Sequence, residues 1–257
     1  MRLKLTIAYV GTHFKGWQVQ AHPHYPEPRT VQAEIEAAIS RIAGRTVKVH
    51  GAGRTDSGVH ADGQAAHVDI PEEKTEIDWL RAINAQLPPD VAVLDARFVS
   101  DDFHAQYSCT HKAYTYSLWL NRAFTPPRLR EFVWNTGPLN LTAMKKAAVH
   151  LIGKHNFAAL QNIGTPQQNT VRTIYSIACY VDPDPTWNGN FICWRIEGDG
   201  FLKQMVRNIM GLLVEVGRGK LAGADVPGLI ASGDRGLSPA TAPARGLCLS
   251  AVYYPEG

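Results

Sequence analysis

Residues 51–63 read GAGRTDSGVHADG, four glycines in thirteen positions with Arg54 and Asp56 at the centre. Glycines let a backbone take left-handed conformations or approach a ligand closely. An aspartate flanked by a guanidinium and by two hydroxyls, Thr55 and Ser57, suits a carboxylate kept ionised and oriented as a nucleophile. Two other readings of the segment stand beside that one. A phosphate cradle would need the Gly-Lys-Ser/Thr ending and the opening of a helix, and neither is present. A tight connection with solvated charges is the plain alternative.

Other reactive types are scattered. Cys109, Cys179, Cys193 and Cys248 form no CxxC pair, which argues against a disulfide framework and a zinc knuckle and fits a reducing cytoplasm. His60 and His67 flank one stretch at a spacing no usual zinc site has, and His22 and His24 fall in a proline-rich loop. No metal is expected. Tyr114 and Tyr116 lie two apart, as on one face of a strand.

The elements that must position these residues follow from periodicity. Residues 3–10 alternate and stop at Gly11. Thr30 stands where a helix cap belongs, ahead of an apolar face of Val31, Ile35, Ile39 and Ile42 and a left-handed stop at Gly44. Short strands are expected over 47–50 and 64–70, a helix over 78–87 ended by Pro88 and Pro89, and a strand over 91–99. Trp17 is expected to pack the first sheet.

That β-α-β-β-α-β order is the ferredoxin-like plan. It is repeated in a strand over 111–120, a helix over 142–152, strands over 171–181 and 190–198, and a helix over 202–216 with apolar steps of four and three. A shorter helix over 226–232 and a strand over 247–254 close the series. The expected fold is α+β, two ferredoxin-like (βαββαβ) halves with antiparallel sheets flanking a cleft, residues 1–104 carrying the GRTD loop and 105–257 the KAYTY and MVRNI segments.

The 257 residues are 45% hydrophobic and 19% charged, ruling out a disordered chain. The longest apolar run, Ile209 to Val214, is too short to cross a bilayer. A net charge of +3 permits a polyanionic partner without demanding one.

GAGRTDSGVHADGQ resembles the signature of the tRNA pseudouridine synthases of the TruA family, whose nucleophilic aspartate lies in the GRTD run. YVGTHFKGWQVQ, FHAQYSCTHKAYTYSLW, EGDGFLKQMVRNIMGLLVEVG and TAPARGLCLSAVYYP extend the resemblance essentially end to end. Ser57 stands where alanine is common, Gln106 where arginine is common, and Asn156 where aspartate is common; loss of that arginine could remove an RNA contact.

The resemblance implies an isomerase that breaks the uracil N1–C1′ bond, turns the base and joins C5 to C1′ before the C5 proton leaves. The reaction is redox-neutral and uses no water, so no cofactor is expected. By the same resemblance Asp56 attacks C1′ or takes the 2′ proton, Arg207 is its basic partner, Tyr114 stacks on the target base and Leu247 walls the pocket. Arg54 is the candidate for RNA backbone contact or for wedging into the stem; Lys15, Lys203 and Arg218 are weaker electrostatic candidates. A phenol with a pKa near ~10 is a poor base at neutral pH, so proton removal by Tyr114 would need assistance. The implied partners are the tRNA anticodon stem-loop, at positions 38 to 40, and a second copy of the chain, in the cytoplasm. A noncatalytic RNA-binding module and a phosphate hydrolase are the rivals. The first gains nothing from a carboxylate aimed at phosphate, and the second lacks a metal cluster and a phosphate loop.

Overall fold

A computed structural model describes residues 1–19, 28–162 and 169–255. The chain forms two compact units, Met1–Thr110 with Cys248–Gly257, and His111–Leu247. The architecture is mixed α and β.

In the first unit β1 (Arg2–Tyr9) buries Leu3, Leu5, Ile7 and Tyr9 at alternate positions, the period that puts one face of a strand into a core. It pairs antiparallel with β3 (His60–Asp69) on one side and β4 (Val91–Val99) on the other. The far edge of β3 is shared. Residues Ala66–Val68 pair antiparallel with β2 (Val49–Gly51), while His60 and Ala61 pair in parallel with Cys248 and Leu249 of β10 (Leu247–Tyr253). The antiparallel order is therefore β4-β1-β3-β2. Residues 52–59 form the excursion between β2 and β3, and that excursion carries Asp56.

Helix α1 (Val31–Ala43) buries Val31, Ile35, Ala38 and Ile39 and stops at Gly44 with φ +74°. The expected cap by Thr30 is absent. Its side chain makes no cap hydrogen bond, and its buried hydroxyl has no partner among the described residues. Two first-turn N–H groups are satisfied instead by backbone: Val31 N–H donates to the Gly16 carbonyl at 3.3 Å and Gln32 N–H to that of Trp17 at 3.0 Å. The helix start is thus tied to the loop after β1. Helix α2 (Trp79–Asn84) is shorter than expected and is capped by Asp78, which accepts from Arg81 N–H at 3.1 Å.

The second unit is built on β5 (His111–Trp119), which pairs antiparallel with β9 (Phe191–Gly198) and in parallel with the two-residue β6 (Trp134–Asn135). Beyond β9 follow β8 (Val171–Val181) and then β7 (Gly153–Asn156), both pairs antiparallel. Strands β6 and β7 are too short to show a period and were not expected. Helix α3 (Leu141–Ala148) lies against α4 (Met205–Gly217) so closely that a Cβ at Gly217 would fall 2.7 Å from Met144 Sδ. Helix α4 begins three residues later than its apolar pattern predicts because Gln204 is left-handed, φ +62°. Helix α5 (Val226–Ser232) has the expected span.

The compact units depart from the expected division at 104/105. The first continues to Thr110, and the residues from Cys248 onward return to it because β10 pairs with β3.

Candidate active site

The excursion from β2 to β3 is held mostly by main chain. The Thr55 carbonyl accepts from Trp17 N–H at 3.1 Å, and the Thr55 hydroxyl, buried, shares a 2.8 Å hydrogen bond with the Tyr9 phenol. One residue on, the Asp56 carbonyl accepts from Val59 N–H at 3.1 Å and closes a turn in which Gly58 takes φ +78°. The carbonyl of Phe14 accepts twice, from Gly58 N–H at 3.3 Å and from Ser57 Oγ at 3.2 Å. At the loop's start Gln64 Nε2 donates to the Gly53 carbonyl at 2.7 Å, and at its end His60 Nδ1 accepts from Gly11 N–H at 3.1 Å.

Two glycines outside the loop permit this closeness. A Cβ at Gly11 would sit 1.9 Å from the Val59 carbonyl oxygen, and one at Gly16, where φ is +93°, 2.5 Å from that of Thr55. Phe14 is itself fixed: its buried ring lies 4.1 Å under the Arg29 guanidinium, which forks onto Asp90 at 2.7 and 2.8 Å and reaches Glu34 at 2.9 Å. The result is a half-buried carboxylate on a braced turn, with the exposed Arg54 two residues away.

The second unit holds Tyr114, Arg207 and Leu247. Tyr114, on β5, is 8% exposed and meets Phe201 edge-on at 5.2 Å. Tyr116, two residues on, is fully buried, donates to the Pro243 carbonyl at 2.7 Å and has its pKa pushed well up by burial, so it is a structural phenol. Arg207 lies in the first turn of α4, where a cation opposes the helix dipole. Its Nε donates to the Ala242 carbonyl at 2.8 Å, and its own carbonyl accepts from Ala242 N–H at 3.2 Å. Leu247, 5% exposed, opens β10 just after Gly246, where a Cβ would be 2.6 Å from the Tyr116 ring. Residues 242–247 therefore run past both Arg207 and Tyr116.

The model of a family described as tRNA pseudouridine synthase matches residues 5–108 and 147–255. The chain belongs to that family. A tRNA pseudouridine synthase A from Nitratidesulfovibrio vulgaris (Hildenborough) is 53% identical over 99% of this chain and 97% of its own length. Proteins of the same name from Oleidesulfovibrio alaskensis, 51% identical over 99% and 97%, and Geobacillus kaustophilus, 40% identical over 99% and 95%, match as fully. As a member of the tRNA pseudouridine synthase family the chain is an isomerase acting on tRNA.

The structure thus places Asp56 and Arg54 together on one loop of the first unit, and Tyr114, Arg207 and Leu247 in the second. Sequence reading missed the brace made by Tyr9, Gly11, Phe14, Gly16 and Arg29; the paired glycines of YVGTHFKGW were its visible trace. Trp17 packs near Tyr9, with ring centroids 6.2 Å apart, and also against Gly51, where a Cβ would be 2.6 Å from the indole. Asn156 serves as an acceptor, taking Ala158 N–H at 3.1 Å and the Thr170 hydroxyl at 2.6 Å on Oδ1. Gln106 is exposed. Arg218 is engaged by Glu215 at 2.7 Å, whereas Lys15 and Lys203 are exposed.

His60 and His67 serve separate backbone partners, Gly11 N–H and Ala105 N–H, through Nδ1. His22 and His24 lie outside the described residues. Among the described residues no group of three His, Cys, Asp or Glu side chains is arranged to hold a metal ion, and no helix is long and apolar enough to cross a membrane.

Proposed function

We propose that the enzyme converts uridine to pseudouridine at positions 38, 39 and 40 of the tRNA anticodon stem-loop, with Asp56 as the group that acts on the ribose. The observation that carries this reading is the braced turn. Thr55, Ser57, Gly58 and Val59 are all held through hydrogen bonds, so the Asp56 carboxylate projects from a fixed backbone. Orientation of this kind lowers a barrier because the reacting group does not have to be ordered at the moment of reaction.

Asp56 attacks C1′ or removes the 2′ proton while the N1–C1′ bond breaks. The uracil turns, C5 joins C1′, and the C5 proton leaves. Electrons balance within the nucleotide, so no cofactor is assigned. The resemblance of the MVRN run assigns Arg207 as the cationic partner of the carboxylate. The resemblance of the KAYTY run gives Tyr114 the face on which the extruded base stacks, that of the closing GLCL run makes Leu247 a wall of the base pocket, and Arg54 is the candidate for RNA contact. The same reading makes the working enzyme a cytoplasmic homodimer and both halves ferredoxin-like, the latter supported by the β4-β1-β3-β2 order of the first.

The test is a tRNA anticodon stem-loop with uridines at 38, 39 and 40, incubated with enzyme and mapped by carbodiimide modification and primer extension. Pseudouridine at those positions supports the assignment. Product confined to other positions of full-length tRNA overturns it.

A further inference from the structure

Arg207 bonds to Ala242, the last residue of the stretch 238–242, and that stretch is held in turn by Arg235. Four hydrogen bonds leave the Arg235 guanidinium. Nη1 donates to the Ser238 and Pro239 carbonyls, each at 3.0 Å, and Nη2 to Asn208 Oδ1 and Thr241 Oγ1, each at 3.1 Å. Asn208 is the neighbour of Arg207 on α4 and is 1% exposed. Its Oδ1 also accepts from the Thr241 hydroxyl at 2.7 Å, and its Nδ2 donates to the Leu160 carbonyl at 2.7 Å. Directly after Thr241 comes Ala242, the residue that exchanges two hydrogen bonds with Arg207. One turn further along α4, a Cβ at Gly211 would fall 2.2 Å from the Ala240 carbonyl oxygen, so the stretch lies against the helix without a side chain between them.

We propose that Arg235 is a positioning residue for Arg207, fixing the 238–242 stretch so that the Ala242 carbonyl holds the Arg207 side chain in one orientation. This rests on the role assigned to Arg207 above. Stability alone does not explain the arrangement. Arg235 is partly buried, no carboxylate among the described residues pairs with it, and burial lowers its pKa, the mark of a cation held at a cost. What a guanidinium gives there is geometry: a planar fork whose donors diverge in fixed directions onto four oxygens, which a lysine ammonium on a flexible stem cannot reproduce.

The experiment compares Arg235→Lys, Arg207→Lys and the double variant by single-turnover pseudouridine formation, tRNA Kd and thermal melting. Arg235→Lys is expected to slow the single-turnover step about 10- to 100-fold, the scale of a misplacement near 1 Å, with Kd within about twofold of the parent and a cooperative melt. In the Arg207→Lys background the same change should cost less than about threefold more, because both act on one side chain. Thr241→Val, which removes the hydroxyl that accepts from Arg235 and donates to Asn208 and leaves the side chain's shape, should give a smaller loss of about 3- to 10-fold and carries the test if Arg235→Lys does not fold.

A wild-type rate in both Arg235→Lys and Thr241→Val overturns the proposal, as does a loss that multiplies fully with Arg207→Lys or one seen only in Kd. If Arg207→Lys itself runs at the wild-type rate, the role of Arg207 falls and this proposal with it. A slow Arg207→Lys beside a wild-type rate in both Arg235→Lys and Thr241→Val removes the positioning role alone.

Discussion

In the first unit the groups that fix Asp56 are mostly backbone carbonyls, backbone N–H groups and glycines, brought in from the chain just after β1. In the second, Arg207 bonds to the Ala242 main chain, and the stretch that carries Ala242 is tied by an arginine, an asparagine and a threonine acting through their side chains. The first brace is expected to be sensitive to added volume, since a Cβ at Gly11 or Gly16 would meet a backbone carbonyl. The second is expected to be sensitive to lost donors. A loop that must approach another loop within hydrogen-bonding distance uses glycine where any Cβ would intrude. A helix start that must hold a cation against its own dipole uses converging side chains.

The largest effect expected in a test of this contrast is at the cation. On the proposed pairing with Asp56, Arg207→Ala should slow isomerisation by about 10²- to 10⁴-fold, since removal of one member of a buried charge pair typically costs ~3–5 kcal/mol. Nucleoside digests of product tRNA measure it. A fully active Arg207→Ala would leave the second brace with nothing to position.

Volume added to the first brace comes next. Gly11→Ala and Gly16→Ala should each reduce the single-turnover rate about 10- to 100-fold, because the new methyl group forces the Val59 or the Thr55 carbonyl to move. Gly44→Ala is the control: the residue also has positive φ, but nothing lies within 4 Å of its Cβ position. It should lower the melting temperature and leave the rate unchanged. Equal rates for all three would show that the loop does not depend on close approach.

Ser57→Ala removes one of the two hydrogen bonds to the Phe14 carbonyl and leaves the Gly58 N–H in place. A loss of about two- to fivefold in single-turnover rate is expected, the size of one neutral hydrogen bond at a part-exposed site. A hundredfold loss would mean that the hydroxyl does chemistry.

The smallest effect is on stability in acid and concerns the first unit alone. Burial, then the neighbouring His104, Arg2 and His50 charges, pull the His67 pKa from 6.5 to about 4. The unfolded chain therefore takes the proton first. The stability due to neutral His67 is complete above pH 6.5 and is lost as the pH falls from 6.5 towards 4. Protonation of Nδ1 also breaks its hydrogen bond from Ala105 N–H. Protection factors at residues 103–107, taken against the intrinsic exchange rate at each pH, should fall over that range while those at residues 238–242 hold, and His67→Gln should flatten the dependence. Loss of protection in both segments together would contradict the assignment to His67.

Much of this was legible from local pattern. Alternation placed β1 and β4 to within a residue or two, and the helical steps placed α5 and the body of α4, because one-sided burial leaves a period in the sequence. What escaped depended on contacts between distant residues or on single backbone angles. Thr30 has the composition of a cap, yet the carbonyls of Gly16 and Trp17 reach the first turn of α1 and take over that work. Nothing in the apolar steps from Leu202 onward reveals that Gln204 is left-handed. The destination of β10 escaped because parallel pairing with His60 and Ala61 leaves no local trace. At the site, the GRTD run was conspicuous by its glycines, whereas Arg235 reads in the sequence as one more surface arginine.

The most direct test of the whole account is tritium release from tRNA carrying C5-labelled uridine at positions 38 to 40, measured for the parent and for Asp56→Asn at matched tRNA occupancy. Asparagine keeps the shape of the side chain and the backbone brace, so Kd should stay within about threefold while release falls below about a hundredth of the parent rate. Release by Asp56→Asn at the parent rate would contradict the role of Asp56, and with it the reason for the brace around residues 55–59.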